Sequence, residues 1–227
     1  MSFPSLHLVV VDLGADTEYI ELCKQSIVKQ SYTGMLTVTN IKADPDEPGG
    51  AFYPVMQEWM RKPSDYMGYI TTGSRLPVNR LQHQIAYMEF DKLSGCYGDI
   101  CTISSRGEPT TWEEYPNFKA EMIGVDCIDT RTLILNKKMF LNAGGFDHVM
   151  AGSNRPDTYL LTMAALGGKV QRLSKVLLEK FLGEKQWGPN GGDLLAWHSV
   201  ESSDFWHRFE FEKFVRLARD HYRTNGW

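Results

Sequence analysis

The chain reads as an α/β domain whose sheet is mostly parallel in its first half. Three observations predict this. The valine-rich run LHLVVVDLG, Leu6 to Gly14, is strand-sized and has no polar face, which marks a strand buried on both sides. Helical patterns alternate with further apolar runs, as in consecutive β-α units. Glycine- and proline-rich punctuation separates them.

Taken in order, the first strand is followed by DTEYIELCKQSIVKQ, where Tyr19, Ile20, Cys23 and Ile27 fall at helical spacing and Asp16 or Thr17 suits the cap. GMLTVTNI is a second strand, and KADPDEPGG is a loop. GAFYPVMQEWMRK predicts a helix with Trp59 and Met60 inward. DYMGYI is a third strand. LPVNRLQHQIAYMEF follows as a helix with Pro77 in its first turn and Val78, Leu81, Ile85 and Met88 on one stripe. GCYGDICTIS is a strand, SRGEP a turn, and TTWEEYPNFKAEM an irregular segment. CIDTRTLIL reads as another strand, and NKKMFLNAGGF as a short helix closed by Gly144-Gly145. PDTYLLTMAALGG is a helix, KVQRLSKVLLEKF is extended, KQWGPNGGD is a glycine-rich loop, and Ser203 to Tyr222 is helical. Residues 1–182 form the sheet-bearing domain, with 183–227 as a C-terminal loop and helix packed on it.

Composition narrows the function. The 227 residues are 42% apolar and 23% charged, enough to bury a sizeable core. A net charge of -4 gives no general basic field for a nucleic-acid backbone, so nucleic acid is disfavoured as a partner. No apolar run approaches the roughly 18 residues of a membrane span, and the first one lacks a leader's basic flank. The four cysteines have no CxxC spacing, so reduced thiols and a cytoplasmic location are expected. The histidines show no metal-ligand spacing.

Several stretches resemble the family 2 glycosyltransferases and their GT-A fold. EYIELCKQSIVKQSY is similar to that family's first helix. DYMGYITTGSRLPVNRLQHQIAYME is similar to its third strand, donor-site turn and following helix, and YGDI to its next strand. The most specific stretch is CIDTRTLILNKKMFLNAGGFD, Cys127 to Asp147, which matches a strand beside the acceptor site and a helix ending in Gly-Gly-Phe-Asp. AGSNRPDTYLLTMAALGGKV matches the segment that carries the base. These fall in the family's order over residues 5 to 182.

The resemblance implies three polar stations, and each is altered here. Asp12-Leu13-Gly14-Ala15 stands where the nucleotide pocket begins, Thr39-Asn40 where acids hold the base or ribose, and Thr71-Thr72-Gly73 where Asp-x-Asp holds a cation. No divalent metal is therefore expected at Thr71 to Gly73. The implied donor set is Asp12, Thr39, Asn40, Thr71, Gly73, Ser74 and Arg75, with Arg75 supplying charge. Asp12 and the Thr71–Ser74 turn are more readily read as plain turn chemistry. Asn154-Arg155 replaces the family's Glu-Asp pair, which leaves Asp157 as the implied base or as a helix-end acid. Arg155 and Trp187 fall to the phosphate or acceptor side, Trp187 stacking on a sugar or packing the tail.

Two functions stay open at this stage. One is transfer of a sugar from a nucleotide-sugar donor to an unknown acceptor hydroxyl, with inversion. The other is a catalytically inactive GT-A module that binds a sugar, a nucleotide or a partner protein. Leu81, Ile85, Met139, Phe140, Phe146, Leu160 and Met163 are expected to be buried.

Overall fold

The computed structural model describes residues 3–43, 52–124, 127–145, 156–183 and 204–227, with the side chains of 52–53, 156–159 and 204–212 outside that description. Strands β1 (Leu6–Asp12), β2 (Leu36–Lys42) and β3 (Tyr66–Thr71) pair in parallel, with β1 central. On β1, Leu6, Leu8 and Val10 enter one core cluster and Val9 and Val11 the other. That period-two split is why the strand has no polar face.

Helices cover both sides. Helix α1 (Thr17–Val28) contributes Cys23 and Ile27 to one cluster, where α3 (Arg80–Asp91) adds Leu81, Ile85 and Met88. Helix α2 (Phe52–Arg61) packs Val55, Met56 and Trp59 on the opposite face. There it meets α4 (Lys137–Asn142), α5 (Pro156–Gly167) and α6 (Asp204–Thr224) through Phe140, Leu160, Met163, Val215, Ala218 and Tyr222.

The remaining strands are β4 (Ser74–Arg75), β5 (Gly95–Ile103), β6 (Pro109–Glu113), β7 (Ile134–Asn136) and β8 (Val170–Phe181). The sheet order is β2-β1-β3-β7-β5-β8-β4, with β6 paired to β5. Strand β7 runs antiparallel between β3 and β5, while β5 and β8 are parallel. The result is a mixed, mostly parallel sheet flanked by helices, as expected. At Gly98 a Cβ would lie 2.7 Å from the Leu173 carbonyl and 2.6 Å from Leu177 Cδ1, so β5 and β8 approach too closely there for a side chain.

The last helix is tied to the sheet domain. Gly124 has φ +81° and a Cβ there would meet Val215 Cγ1 at 2.4 Å, so only glycine admits α6 at this distance. Arg219 Nε donates to the Ile123 carbonyl at 2.9 Å, and the Tyr222 ring sits edge-on to Phe118 at 5.1 Å. Among the described residues, no helix is long and apolar enough to cross a membrane.

Several local expectations are corrected. CIDTRTLIL is not a continuous strand: Thr130–Thr132 is a 3-10 turn before the short β7. The Asp129 carboxylate accepts from the Arg131 amide at 3.0 Å and the Thr132 hydroxyl donates to the Asp129 carbonyl at 2.7 Å, bonds that compete with a strand ladder. TTWE, Thr110 to Glu113, is not irregular but forms most of β6. Helix α3 starts at Arg80, because the Pro77 carbonyl is held by the Arg80 amide and by Gln30 Nε2 at 2.9 Å in a preceding turn. Val78 and Met60 are exposed and Met139 is half-buried, while Leu81, Ile85, Phe140, Leu160 and Met163 are buried. Phe146 lies outside the described residues.

Candidate functional site

A pocket of about 130 Å³ opens at the C-terminal ends of β1 and β3. Leu13, Gly14, Ala15 and Asp16 of the β1–α1 loop form one wall, with Tyr19 from the first turn of α1. Thr71, Thr72 and Gly73 form another, and Gly183 closes the rim. Two parallel strands that each end in a tight turn leave such a crevice above the sheet. Gly14 adopts φ +77° with open space where a Cβ would stand, so the loop leaves β1 without crowding the pocket.

Asp12 shapes this loop. Its Oδ1 accepts from the Gly14 amide at 3.0 Å and from the Thr72 hydroxyl at 3.3 Å, tying the ends of β1 and β3 together. Thr71 and Thr72 are buried, and Thr71 Oγ1 accepts from Arg131 Nη1 at 2.9 Å. Arg131 itself grips Asp129, Nε to Oδ1 at 2.9 Å and Nη2 to Oδ2 at 2.6 Å. Burial works against the Asp129 carboxylate, yet the Arg131 charge and hydrogen bonds, with help from Lys180, hold it below the usual carboxylate range.

Beneath this pair, Arg80 is fully buried and donates from Nη2 to the Arg131 carbonyl at 2.6 Å. Gln84 Nε2 donates at 2.7 Å to the Thr132 and Cys96 carbonyls. The 3-10 turn that presents Asp129 and Arg131 is thus braced from α3.

The other residues implied by the resemblance are distributed differently. The Ser74 hydroxyl turns back to the Thr71 carbonyl at 2.7 Å. Arg75 lies on β4, paired from Nε to Glu179 Oε2 of β8 at 2.5 Å, and it does not line the pocket. Thr39 and Asn40 do not end their strand, since β2 continues to Lys42. The Thr39 hydroxyl meets His7 Nε2 of β1 at 2.9 Å, while Asn40 is exposed. Asp157 is the second residue of α5, with its side chain outside the described residues. Arg155 and Trp187 also lie outside them.

Two features went unread in the sequence. Tyr19, placed on the inward stripe of α1, is a pocket wall: its ring stacks on Phe181 at 4.3 Å and 11°. Asp16, read only as a cap, lines the pocket beside it. Nothing local distinguishes a stripe tyrosine that meets the core from one that borders a cleft. Elsewhere on β5, β6 and β8, Arg172 binds Asp99 through Nε at 2.9 Å and Nη2 at 2.6 Å, and Lys180 pairs with Glu113.

The residues at Thr71 to Gly73 do not fit a divalent cation. A hard dication takes carboxylate or carbonyl oxygens. This turn offers two hydroxyls, one already facing the Arg131 guanidinium and the other Asp12. Among the described residues, no group of three or more His, Cys, Asp or Glu side chains is placed to hold a metal ion.

The chain matches no protein-family model and no curated protein sequence. Its fold is nonetheless shared with S. aureus TarS. The crystal structure of TarS 1-349 in complex with UDP-GlcNAc superposes with a TM-score of 0.58 at 13% identity, over 96% of this chain and 66% of that one. The complex of TarS 1-349 with UDP gives 0.56 at 11%, over 96% and 65%. The longer TarS chain gives 0.53 at 12%, over 80% of this chain and 37% of that one. The chain thus spans less than two thirds of each of these TarS chains.

Proposed function

We propose that this chain is a GT-A glycosyltransferase of the family 2 type. It takes a nucleotide-sugar donor at the pocket over β1 and β3 and transfers the sugar to an acceptor hydroxyl without a divalent cation. The observation that carries this is the pocket's position. It opens between the Leu13–Asp16 loop and the Thr71–Gly73 turn, the two stations where the resemblance places the donor. The shared fold supports it, because TarS is a glycosyltransferase crystallised with UDP and UDP-GlcNAc.

In this reading Thr71 and Gly73 border the donor, and Asp12 holds the loop that receives it. Asp157 accepts the acceptor's proton as its oxygen attacks the anomeric carbon. The new C–O bond forms opposite the breaking bond to the diphosphate, so configuration inverts. Charge on the departing diphosphate needs preorganised donors. Arg75 is paired with Glu179, so that work passes to Arg155 and backbone amides.

A non-catalytic module that binds a nucleotide, a sugar or a partner protein is the second reading. One observation favours it: among the described residues that line the pocket, none is basic. A thermal-shift panel of UDP-, GDP-, CMP- and TDP-sugars, each with manganese or with EDTA, tests the proposal. A melting-temperature rise with one donor class, equal in both conditions, is expected. No rise with any donor overturns the proposal. A rise without transfer or hydrolysis selects the second reading, and a rise that needs manganese removes the metal-free part.

A further inference from the structure

We propose that the outer face of α3 is a self-association surface, on which a second copy of this chain lays its own α3 antiparallel across a twofold axis. This surface is independent of the donor site, and none of the residues it uses lines the pocket.

Helix α3 turns Leu81, Ile85 and Met88 into the core, so its opposite side meets solvent. That side carries Asn79, His83, Ala86 and Phe90, all exposed. Their spacings of four, three and four are those of a coiled-coil seam. Phe90 is 85% exposed, where burying it would contribute about 1.5–3 kcal/mol. Val28, at the end of α1, is equally exposed. It lies near the start of α3, because the Ser31 amide donates to the Val78 carbonyl at 3.0 Å and Gln30 Nε2 to the Pro77 carbonyl at 2.9 Å. Exposed apolar groups therefore stand at both ends of the face, Val28 and Val78 at one and Phe90 at the other.

The pattern is its own complement. Spacings of four, three and four read the same in both directions, so a reversed copy sets Asn79 against Phe90 and His83 against Ala86. Each ring then meets a smaller side chain, and each Phe90 reaches the Val28–Val78 end of the other copy. A twofold contact of this kind uses the same patch on both subunits and closes at the dimer.

Charge selects the same orientation. Lys24 and Lys29 flank Val28 and are exposed. At the Phe90 end, Glu89, Asp91 and Lys92 leave a net negative charge, with Lys92 Nζ 3.7 Å from Glu89 Oε2. A parallel copy would bring lysines to lysines, whereas the antiparallel one brings each lysine pair to an acidic end. The 12 residues of α3 make a seam about 18 Å long, at the low end of specific interfaces, so a dissociation constant of about 10–100 µM is expected.

The test is sedimentation equilibrium of the full chain, from about tenfold below to about tenfold above that constant. The wild type is expected to pass from monomer to dimer over this range. Phe90→Asp is expected to weaken association about tenfold or more at an unchanged melting temperature, because the side chain it replaces is exposed in the monomer. Register is read by mixing an Asn79→Cys chain with a Phe90→Cys chain under mild oxidation, with the wild type as the blank for its native thiols. The mixture should give a disulfide-linked dimer and either variant alone should not, since like positions stand about 16 Å apart across the seam. A wild type that stays monomeric throughout overturns the proposal. So does a dimer that keeps its affinity with Phe90→Asp, or one in which the mixed variants form no disulfide.

Discussion

Arg131 Nη1 donates to Thr71 Oγ1 at 2.9 Å, which ties the floor of the pocket to a largely buried ion pair sixty residues away in sequence. The same guanidinium holds Asp129 through three side-chain contacts of 3.1 Å or less, and the Asp129 carboxylate also caps the 3-10 turn. Turn, ion pair and end of β3 are therefore one polar unit on the Arg80–Gln84 brace.

Removing one partner of a buried pair leaves the other uncompensated. Asp129→Asn is expected to cost about 3–5 kcal/mol in urea unfolding, and Asp129→Asn with Arg131→Met distinctly less than the sum of the single changes. A single-variant loss under about 1 kcal/mol would show that the pair does not hold the turn.

Leu160 is 1% exposed on α5, within the cluster that also contains Met163 and Phe140. Truncation to alanine removes packed methyl groups from a site with little room to collapse. Leu160→Ala should destabilise the chain by about 2–5 kcal/mol, measured by chemical denaturation. A negligible loss would break the α5 register that places Asp157 at the start of that helix.

Acid should act through His7. Burial is the main cause that lowers its pKa below 6.5, against an opposing pull from Glu58. The folded chain thus binds fewer protons than the unfolded one as pH falls through about 6.5, and stability declines in that direction. Unfolding free energies between pH 7 and 5 should fall in the wild type and fall less in His7→Gln. Equal slopes would remove His7 as the cause.

Asp157 is the acid that the resemblance leaves for proton transfer. Asp157→Asn keeps the shape and removes the basic oxygen, so turnover of the donor found in the thermal-shift panel should drop about 10²-fold with donor affinity nearly unchanged. If Asp157 serves only the helix end, the same change costs about 1 kcal/mol of stability or less and leaves activity intact. Rates and melting curves on one preparation separate the two roles.

Much of the fold was legible along the chain. The unbroken apolar run of β1, the stripe Leu81-Ile85-Met88 of α3 and the Gly144-Gly145 stop after α4 are local signals, because strand and helix periods are set by the backbone within a few residues. The antiparallel entry of β7 between β3 and β5 was not legible, since Ile134 to Asn136 is too short to carry a period of its own.

The site divides in the same way. The sequence by itself determined that the ends of β1 and β3 carry Asp12-Leu13-Gly14 and Thr71-Thr72-Gly73, with no pair of carboxylates at the second turn. Only the tertiary structure decided what those polar groups face. Arg75 met Glu179 across 104 residues, Thr39 met His7 across 32, and Tyr19 settled on Phe181 at the pocket's edge. A polar side chain has the same local pattern whether it is bonded internally or open to a ligand. Its partner is chosen by the strand or helix that packs beside it, and that choice depends on sheet order and register rather than on neighbouring residues.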